Sequence, residues 1–207
     1  MDGKTIIGGK GSRERVDHDF YATPFWATEA LLNAVSVKGS ILEPAAGQGH
    51  IAKVLKERFP ESEVVATDLV EREDKFGVGI VPGIDFLTLG YQQDLFGNGN
   101  FLYGKHFDNV ITNPPFSKAI EFVNTALEIA NDKVMMFLKI QFLESQERKA
   151  FLQSSPLKYI YVFSNRVSVL NNGEETDENG KKWSSLMCFA WFIWEKGYKG
   201  EPILRWL

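Results

Sequence analysis

Two stretches of this sequence carry groups whose types and spacing could do chemistry, and neither depends on a histidine or a cysteine. Asn113-Pro114-Pro115-Phe116 directly follows the apolar run Val110-Ile111-Thr112. Successive prolines lack backbone N–H groups and fix φ, so they end a strand in a rigid, projecting turn. At such a turn the Asn113 side-chain oxygen and the Pro114 carbonyl can converge as two acceptors on one NH2 group, while the Phe116 ring offers a face to a flat heterocycle. An aromatic or amide NH2 is a poor nucleophile because its lone pair is delocalised. Two acceptors below its plane draw the nitrogen toward tetrahedral geometry and aim the pair at an electrophilic methyl. This is catalysis by orientation, with no obligatory side-chain base.

The second stretch is Glu43-Pro44-Ala45-Ala46-Gly47-Gln48-Gly49, after Ile41-Leu42. Gly47 and Gly49 permit positive φ and a close approach of backbone to ligand, which by itself also describes a plain tight turn. Asp68 ends the next apolar run, where an acid can accept both hydroxyls of a ribose. Asp85 follows a third run, placed to accept from an exocyclic adenine amine, with Phe86 beside it to stack on the purine. Three strand ends thus suit an adenosine. A carboxylate within the loop, Glu43, would repel a pyrophosphate and favours a ligand with positive charge. S-adenosylmethionine, with its ammonium and sulfonium, fits better than a dinucleotide.

These groups need a scaffold that brings strand ends together. Thr23-Pro24 reads as a helix start, with Thr28, Leu31, Leu32 and Val35 at helical spacing and Gly39 as the stop. Strands are expected at residues 41–42, 64–66, 78–81, 107–112, 134–140, 159–163 and 187–194. Between them lie helical patterns at 51–59, at 117–130 with Ser117 as its cap, and at 144–153. Such alternation predicts an α/β fold, a doubly wound sheet of seven strands, mostly parallel with an antiparallel last strand. In that architecture ligands sit beyond the carboxyl ends of the strands.

Composition sets the limits. A chain of 207 residues, 44% hydrophobic, fits one domain, expected over residues 18–207 behind a flexible N-terminal arm at 1–17. The longest uncharged apolar run, Leu186–Trp194, is nine residues, too short for a membrane span, and no secretory pattern opens the chain, so a soluble cytoplasmic protein is expected. A lone Cys188 excludes an internal disulfide and reads as a small buried hydrophobe. His18, His50 and His106 show no ligand spacing, so no metal is expected, and they read as surface or loop residues. Met135-Met136 reads as core, Glu71 to Lys75 as a solvated loop, and Trp183, Trp191, Trp194 and Trp206 as core or edge packing. Arg166, after the sixth strand, is a candidate phosphate contact.

The combination of Asp19-Phe20-Tyr21-Ala22-Thr23-Pro24, Glu43 to Gly49, Asp68, Asp85 and Asn113 to Phe116 resembles the amino DNA methyltransferases, particularly the short phage-type adenine-specific enzymes of Rossmann-like class I fold. The resemblance implies that Tyr21, Thr23 and Pro24 lie around the methionine moiety of S-adenosylmethionine and that Glu43, Ala45, Gly47 and Gly49 form the main cofactor loop. Asp68 would hold the ribose, Asp85 and Phe86 the adenine ring, and Asn113, Pro114, Pro115 and Phe116 the target base. Ala45 stands where methyltransferases often carry glycine, and Phe116 replaces a tyrosine; both are compatible with these roles.

The expected activity is methyl transfer to the N6 amine of adenine in DNA, the base flipped from the duplex. The same turn serves RNA bases and protein glutamine amides, and an inactive cofactor-binding subunit is a further alternative. No separate target-recognition domain is expected within these 207 residues, so residues 171–182, the arm, loose recognition or an accessory protein is expected to supply specificity. Residues 171–182 carry Glu174, Glu175, Asp177 and Glu178 beside Lys181 and Lys182, and the formal charge is −4, which gives little general grip on phosphate.

Overall fold

Short runs rich in Val, Ile and Phe form the strands of one sheet in the computed structural model, which describes residues 21–88, 101–171, 173–174, 176, 179–181 and 187–207. The chain order is β1 (Tyr21–Ala22), α1 (Phe25–Ala34), β2 (Ile41–Glu43), α2 (His50–Arg58), β3 (Val64–Thr67), β4 (Ile80–Val81), β5 (Phe107–Thr112), α3 (Ala119–Ile129), β6 (Ala130–Lys139), α4 (Gln146–Ser154), β7 (Leu157–Val162), β8 (Leu170–Asn171), β9 (Phe189–Glu195) and β10 (Ile203–Trp206). Eight strands align as β10-β7-β9-β6-β5-β2-β3-β4. The run from β4 through β6 is parallel, β9 is antiparallel to both β6 and β7, and β10 is parallel to β7. β1 and β8 form a separate two-stranded antiparallel ribbon.

The doubly wound α/β architecture is the expected one. Along β6 the side chains alternate: Val134, Met136 and Leu138 join the core under α3 and α4, while Met135 and Phe137 join the core under α1 and α2. A strand covered on both faces must be apolar throughout, which is why these runs show no polar alternation. β9 supplies Trp191 and Trp194, both fully buried, and each indole N–H finds an acceptor: Trp191 donates to the Ala27 carbonyl at 2.9 Å and Trp194 to Ser155 Oγ at 2.9 Å. Among the described residues no helix is long and apolar enough to cross a membrane.

Several sequence expectations are corrected. The sheet has an eighth strand, β10, whose four residues follow Glu201-Pro202 and pair only at an edge, so their hydrophobic signal is weak; Trp206 is exposed there. The strand expected to run antiparallel, at 187–194, is β9 and does so, inserted between β6 and β7; β10 follows it in sequence. Pro24 is the N-cap residue of α1 rather than its first helical residue, with ψ 144, and the Thr23 hydroxyl does not cap. Ser117 caps nothing either: a 3-10 turn, Phe116–Lys118, precedes α3, and Ala130 already belongs to β6. His50 is buried against two aromatic rings, and Cys188 is exposed at the end preceding β9. The arm at 1–17 with His18, Asp19 and Phe20, and Glu175, Asp177, Glu178, Lys182 and Trp183, lie outside the described residues.

Candidate active site

From β2 the chain winds outward through β3 and β4, then returns to β2's other side as β5. The winding direction reverses between β2 and β5, and the crevice at such a reversal is where open α/β sheets hold ligands. Glu43 ends β2 and Asn113 follows β5, so the two groups singled out in sequence meet there and line one cavity of about 20 Å³ with Ala22, Thr23, Ala45 and His50.

Asn113 is held by its nitrogen. Nδ2 donates to the Tyr21 carbonyl at 2.7 Å and to Thr23 Oγ1 at 3.1 Å. Both amide hydrogens are thereby used, which fixes the side chain and leaves Oδ1 as its acceptor. The partners stand some ninety residues earlier and are placed by β1, which pairs with β8 through Tyr21↔Asn171 and Ala22↔Leu170. Pro114 is buried, and the Pro115 carbonyl accepts from Lys118 N at 2.9 Å, locking the turn from the other side.

Phe116 is half-buried and packs against Tyr21 (6.4 Å between centroids, planes 19° apart) and Phe189 (6.0 Å). The Lys139 ammonium lies 4.3 Å from its ring centroid. Phe116 forms one wall of an open cleft of about 420 Å³ whose other lining includes Tyr21, Lys139, Gln141, Phe142 and Arg148.

On the β3 side the glycine turn closes on Asp68. Gly47, at φ 58, donates to Asp68 Oδ2 at 2.7 Å, Val70 N donates to Oδ1 at 2.8 Å, and Ala46 N donates to the Thr67 carbonyl at 3.0 Å. Asp68 therefore shapes the loop as well as presenting acceptors. Gly49, at φ 90, opens α2, and a Cβ there would sit 2.7 Å from Val78 Cγ2. Gly49→Ala is expected to destabilise the fold by about 1–2 kcal/mol from the left-handed backbone alone, with a lowered melting temperature as the check; an unchanged one would mean that the turn rearranges freely.

Asp85 precedes a 3-10 turn, Phe86–Thr88, and accepts from Leu87 N at 3.0 Å. Phe86 does not face the crevice. It is 2% exposed and packs 5.1 Å from Phe122 of α3, so core packing claims the ring that the sequence suggested for the purine. The open apolar surface beside Asp68 is Leu69, 60% exposed.

Glu43 is the electrostatic centre of the site. It is 1% exposed, and Oε2 accepts no hydrogen bond from the described residues. Burial pushes its carboxyl well above the usual carboxylate range; a hydrogen bond from the Ala52 backbone opposes this, and the charge of Asp68 adds to it. A buried acid with an unused oxygen is costly unless a partner arrives. His50, on the opposite wall, is stacked on Phe25 (5.5 Å) and edge-on to Phe76 (4.9 Å). Burial, then the nearby Lys75 charge, lowers its pKa to about 4, so it is a neutral wall.

Sequence reasoning missed two features. Gly173 and Glu174 lie across the glycine turn: Gly173 is buried against Gln48 and His50, and Lys75 pairs with Glu174 at 2.8 Å. Lys139, Gln141 and Arg148, which line the Phe116 cleft, carry no such signal, although Lys139 ends β6 and the other two follow it, the very position from which such sites are built. Arg166 is exposed beyond β7 and is not among the cleft's lining residues. Among the described residues no cluster of His, Cys, Asp or Glu could hold a metal ion.

No protein-family model matches the chain, and no curated protein matches it. Solved structures do. A Listeria monocytogenes protein described as a class I S-adenosylmethionine-dependent methyltransferase shares 15% identity over 95% of this chain and 68% of its own, with a TM-score of 0.57. The methyltransferase subunit of a type I restriction-modification system from Streptococcus thermophilus shares 11% identity over 90% of this chain, with a TM-score of 0.61; the chain spans about half of that subunit, 47%. A Pyrococcus horikoshii protein described as an RNA methyltransferase shares 16% identity over 89% of this chain and 91% of its own, with a TM-score of 0.57. At these identities the likeness concerns the fold alone: this chain shares the doubly wound, Rossmann-like sheet of these structures.

Proposed function

We propose that the chain transfers a methyl group from S-adenosylmethionine to the N6 amine of adenine in DNA, with the base flipped from the duplex into the Phe116 cleft. The observation that carries this reading is the tethering of Asn113. Its nitrogen is consumed by Tyr21 and Thr23, so Oδ1 is aimed and fixed before any ligand arrives. A preorganised acceptor beside a rigid proline turn is what an amine of low nucleophilicity requires.

The donor set fits the cofactor. Glu43, buried with an unpaired oxygen, suits a cationic ligand and disfavours a pyrophosphate. Asp68 and Asp85 end the neighbouring strands at positions suited to a ribose and an adenine amine, and the exposed Leu69, in place of Phe86, gives the purine an apolar surface. Thr23 and Ala45 line the cavity at Glu43 and Tyr21 the Phe116 cleft, which with Pro24 between α1 and Thr23 suits the reacting end, and the positive φ of Gly47 and Gly49 suits a close approach of backbone to the ligand. When bound, S-adenosylmethionine supplies a methyl on a sulfonium, an electrophile that needs no activation by the protein. Asn113 Oδ1 and the Pro114 carbonyl accept the hydrogens of the target amine, and Phe116 holds the ring in plane. The cavity at Glu43 is about one water in size, so Gly173 and Gln48, which lie against each other over the glycine turn, must move to admit the cofactor.

The cleft's aromatic walls and two cations favour a nucleic-acid base over a glutamine amide, and the restriction-modification subunit among the fold neighbours supports DNA. Transfer of tritiated methyl to unmethylated DNA, RNA and protein pools, followed by digestion, tests the proposal. N6-methyladenine in DNA is the expected product. Label confined to RNA or to protein would move the substrate class, and cofactor binding without any transfer would make the chain an inactive partner.

A further inference from the structure

Resting on the nucleic-acid reading above, we propose that Lys139 and Arg148 form a clamp for the phosphates flanking the target nucleotide, so that the strand is gripped from the α4 side of the Phe116 cleft. At about 420 Å³ the cleft falls within the range of pockets that hold small ligands. Its two cations are differently prepared. Arg148 is fixed: Nη1 donates to the Gln141 carbonyl at 3.0 Å and the guanidinium lies 5.5 Å from the Phe142 ring. Neither contact involves a carboxylate, and the remaining N–H groups of the fork are suited to phosphate oxygens. The lysines at 53, 75, 118, 133 and 158 are paired with acids, whereas Arg148, like Lys56, Lys105 and Lys196, is set against a carbonyl or a ring, and of these four Arg148 lines the cleft.

Lys139 occupies the place of the base. Its ammonium lies over the Phe116 ring. A purine stacking on that face displaces it, and its flexible stem lets the charge swing outward to the phosphate of the same nucleotide. A third observation points to a ligand: Gln141, between the two cations in sequence, keeps Oε1 buried without a hydrogen bond from the described residues. Leaving such an atom unpaired is costly, and a ligand N–H would recover that cost. The clamp also answers the charge problem. A net charge of −4 gives little general grip on phosphate, so cations placed at the site itself carry more of the binding.

The test measures affinity for a short duplex and a single strand containing adenine across a series of KCl concentrations. It compares the wild type with Lys139→Gln, Arg148→Gln and the charge-retaining Lys139→Arg and Arg148→Lys, with S-adenosylmethionine affinity followed by calorimetry. Each glutamine variant is expected to flatten the dependence of log K on log salt by about 0.9 for duplex and about 0.7 for single strand, to weaken all sequences alike, and to leave cofactor affinity within twofold. The charge-retaining variants keep the slope. Unchanged slopes in both glutamine variants, with the wild type still methylating DNA, would overturn the clamp alone. A wild type that shows no salt-dependent nucleic-acid binding and methylates only protein would overturn both readings. Should Arg148→Gln lose its fold with the Gln141 carbonyl contact, Lys139→Gln and the Arg148→Lys slope decide.

Discussion

Asn113→Ala is expected to lower kcat by at least about 100-fold, the loss seen when one preorganised polar group is removed from a reacting centre, while S-adenosylmethionine affinity stays within a few-fold. The reasoning is positional. Asn113 gives its nitrogen to Tyr21 and Thr23 and, in the proposed function, its Oδ1 to the amine, so the alanine variant would remove that acceptor and leave Glu43, Asp68 and the glycine turn in place. Asn113→Asp sharpens the test. It restores an acceptor yet sets a carboxylate against the Tyr21 carbonyl and Thr23 Oγ1 where donors stood, so activity is not expected to return. Asp68→Ala should give the opposite pattern: cofactor affinity falls tenfold or more, roughly 1.4 kcal/mol, and the fold loses about 1–3 kcal/mol because the Gly47 N–H is left buried without its acceptor. Single-turnover rates and calorimetry on the same variants separate the two. If Asn113→Ala lost cofactor and kept its rate on saturation, the roles of the two strand ends would be interchanged.

The contrast between these residues also explains what was legible in the sequence. The turns at strand ends were readable because they rest on local rules: a double proline must end β5, and glycines must make the turn after β2. The winding of the sheet followed from the alternation of buried strands and helices. What was not readable depends on contacts between distant segments. Thr23 looks like a helix cap because Pro24 follows it, but its hydroxyl is claimed by Asn113 from β5. Phe86 looks like a stacking ring because it follows Asp85, but Phe122 of α3 takes it into the core. His50 was passed over as a surface residue because nothing local says that Phe25, Phe76 and Gly173 enclose it. β10 was missed because an edge strand of four residues needs only one neighbour and little burial. Lys139 and Arg148 were missed for a different reason: strand-end logic applied to β2 through β5 was not carried on to β6.

Glu43→Gln should separate stability from binding in opposite directions, because the buried carboxylate costs the free protein what it contributes to the complex. Burial and the charge of Asp68 hold the Glu43 carboxyl well above its ordinary range in the free fold. A group whose folded-state pKa is raised lends stability that is complete below the ordinary carboxylate range and is lost as pH rises through the folded value. Above that value the free protein carries an unpaired buried charge. Glutamine removes it, so the variant without ligand is expected to melt higher at pH 8, by about 2–4 °C for each kcal/mol recovered, with a smaller gain near pH 5. Cofactor binding should move the other way. A cationic ligand needs the ionised carboxylate, so wild-type affinity is expected to fall as pH drops below the raised pKa, approaching tenfold per pH unit, with proton release visible as a buffer-dependent binding enthalpy. In Glu43→Gln that pH dependence disappears, and affinity at high pH is lower by about 1.5–3 kcal/mol for the lost charge-assisted contact, roughly tenfold to a hundredfold. A variant less stable than the wild type at pH 8, or one that binds with unchanged affinity and unchanged pH dependence, would remove Glu43 from the cofactor site. It would also remove the physical ground for preferring a sulfonium cofactor over a phosphorylated one.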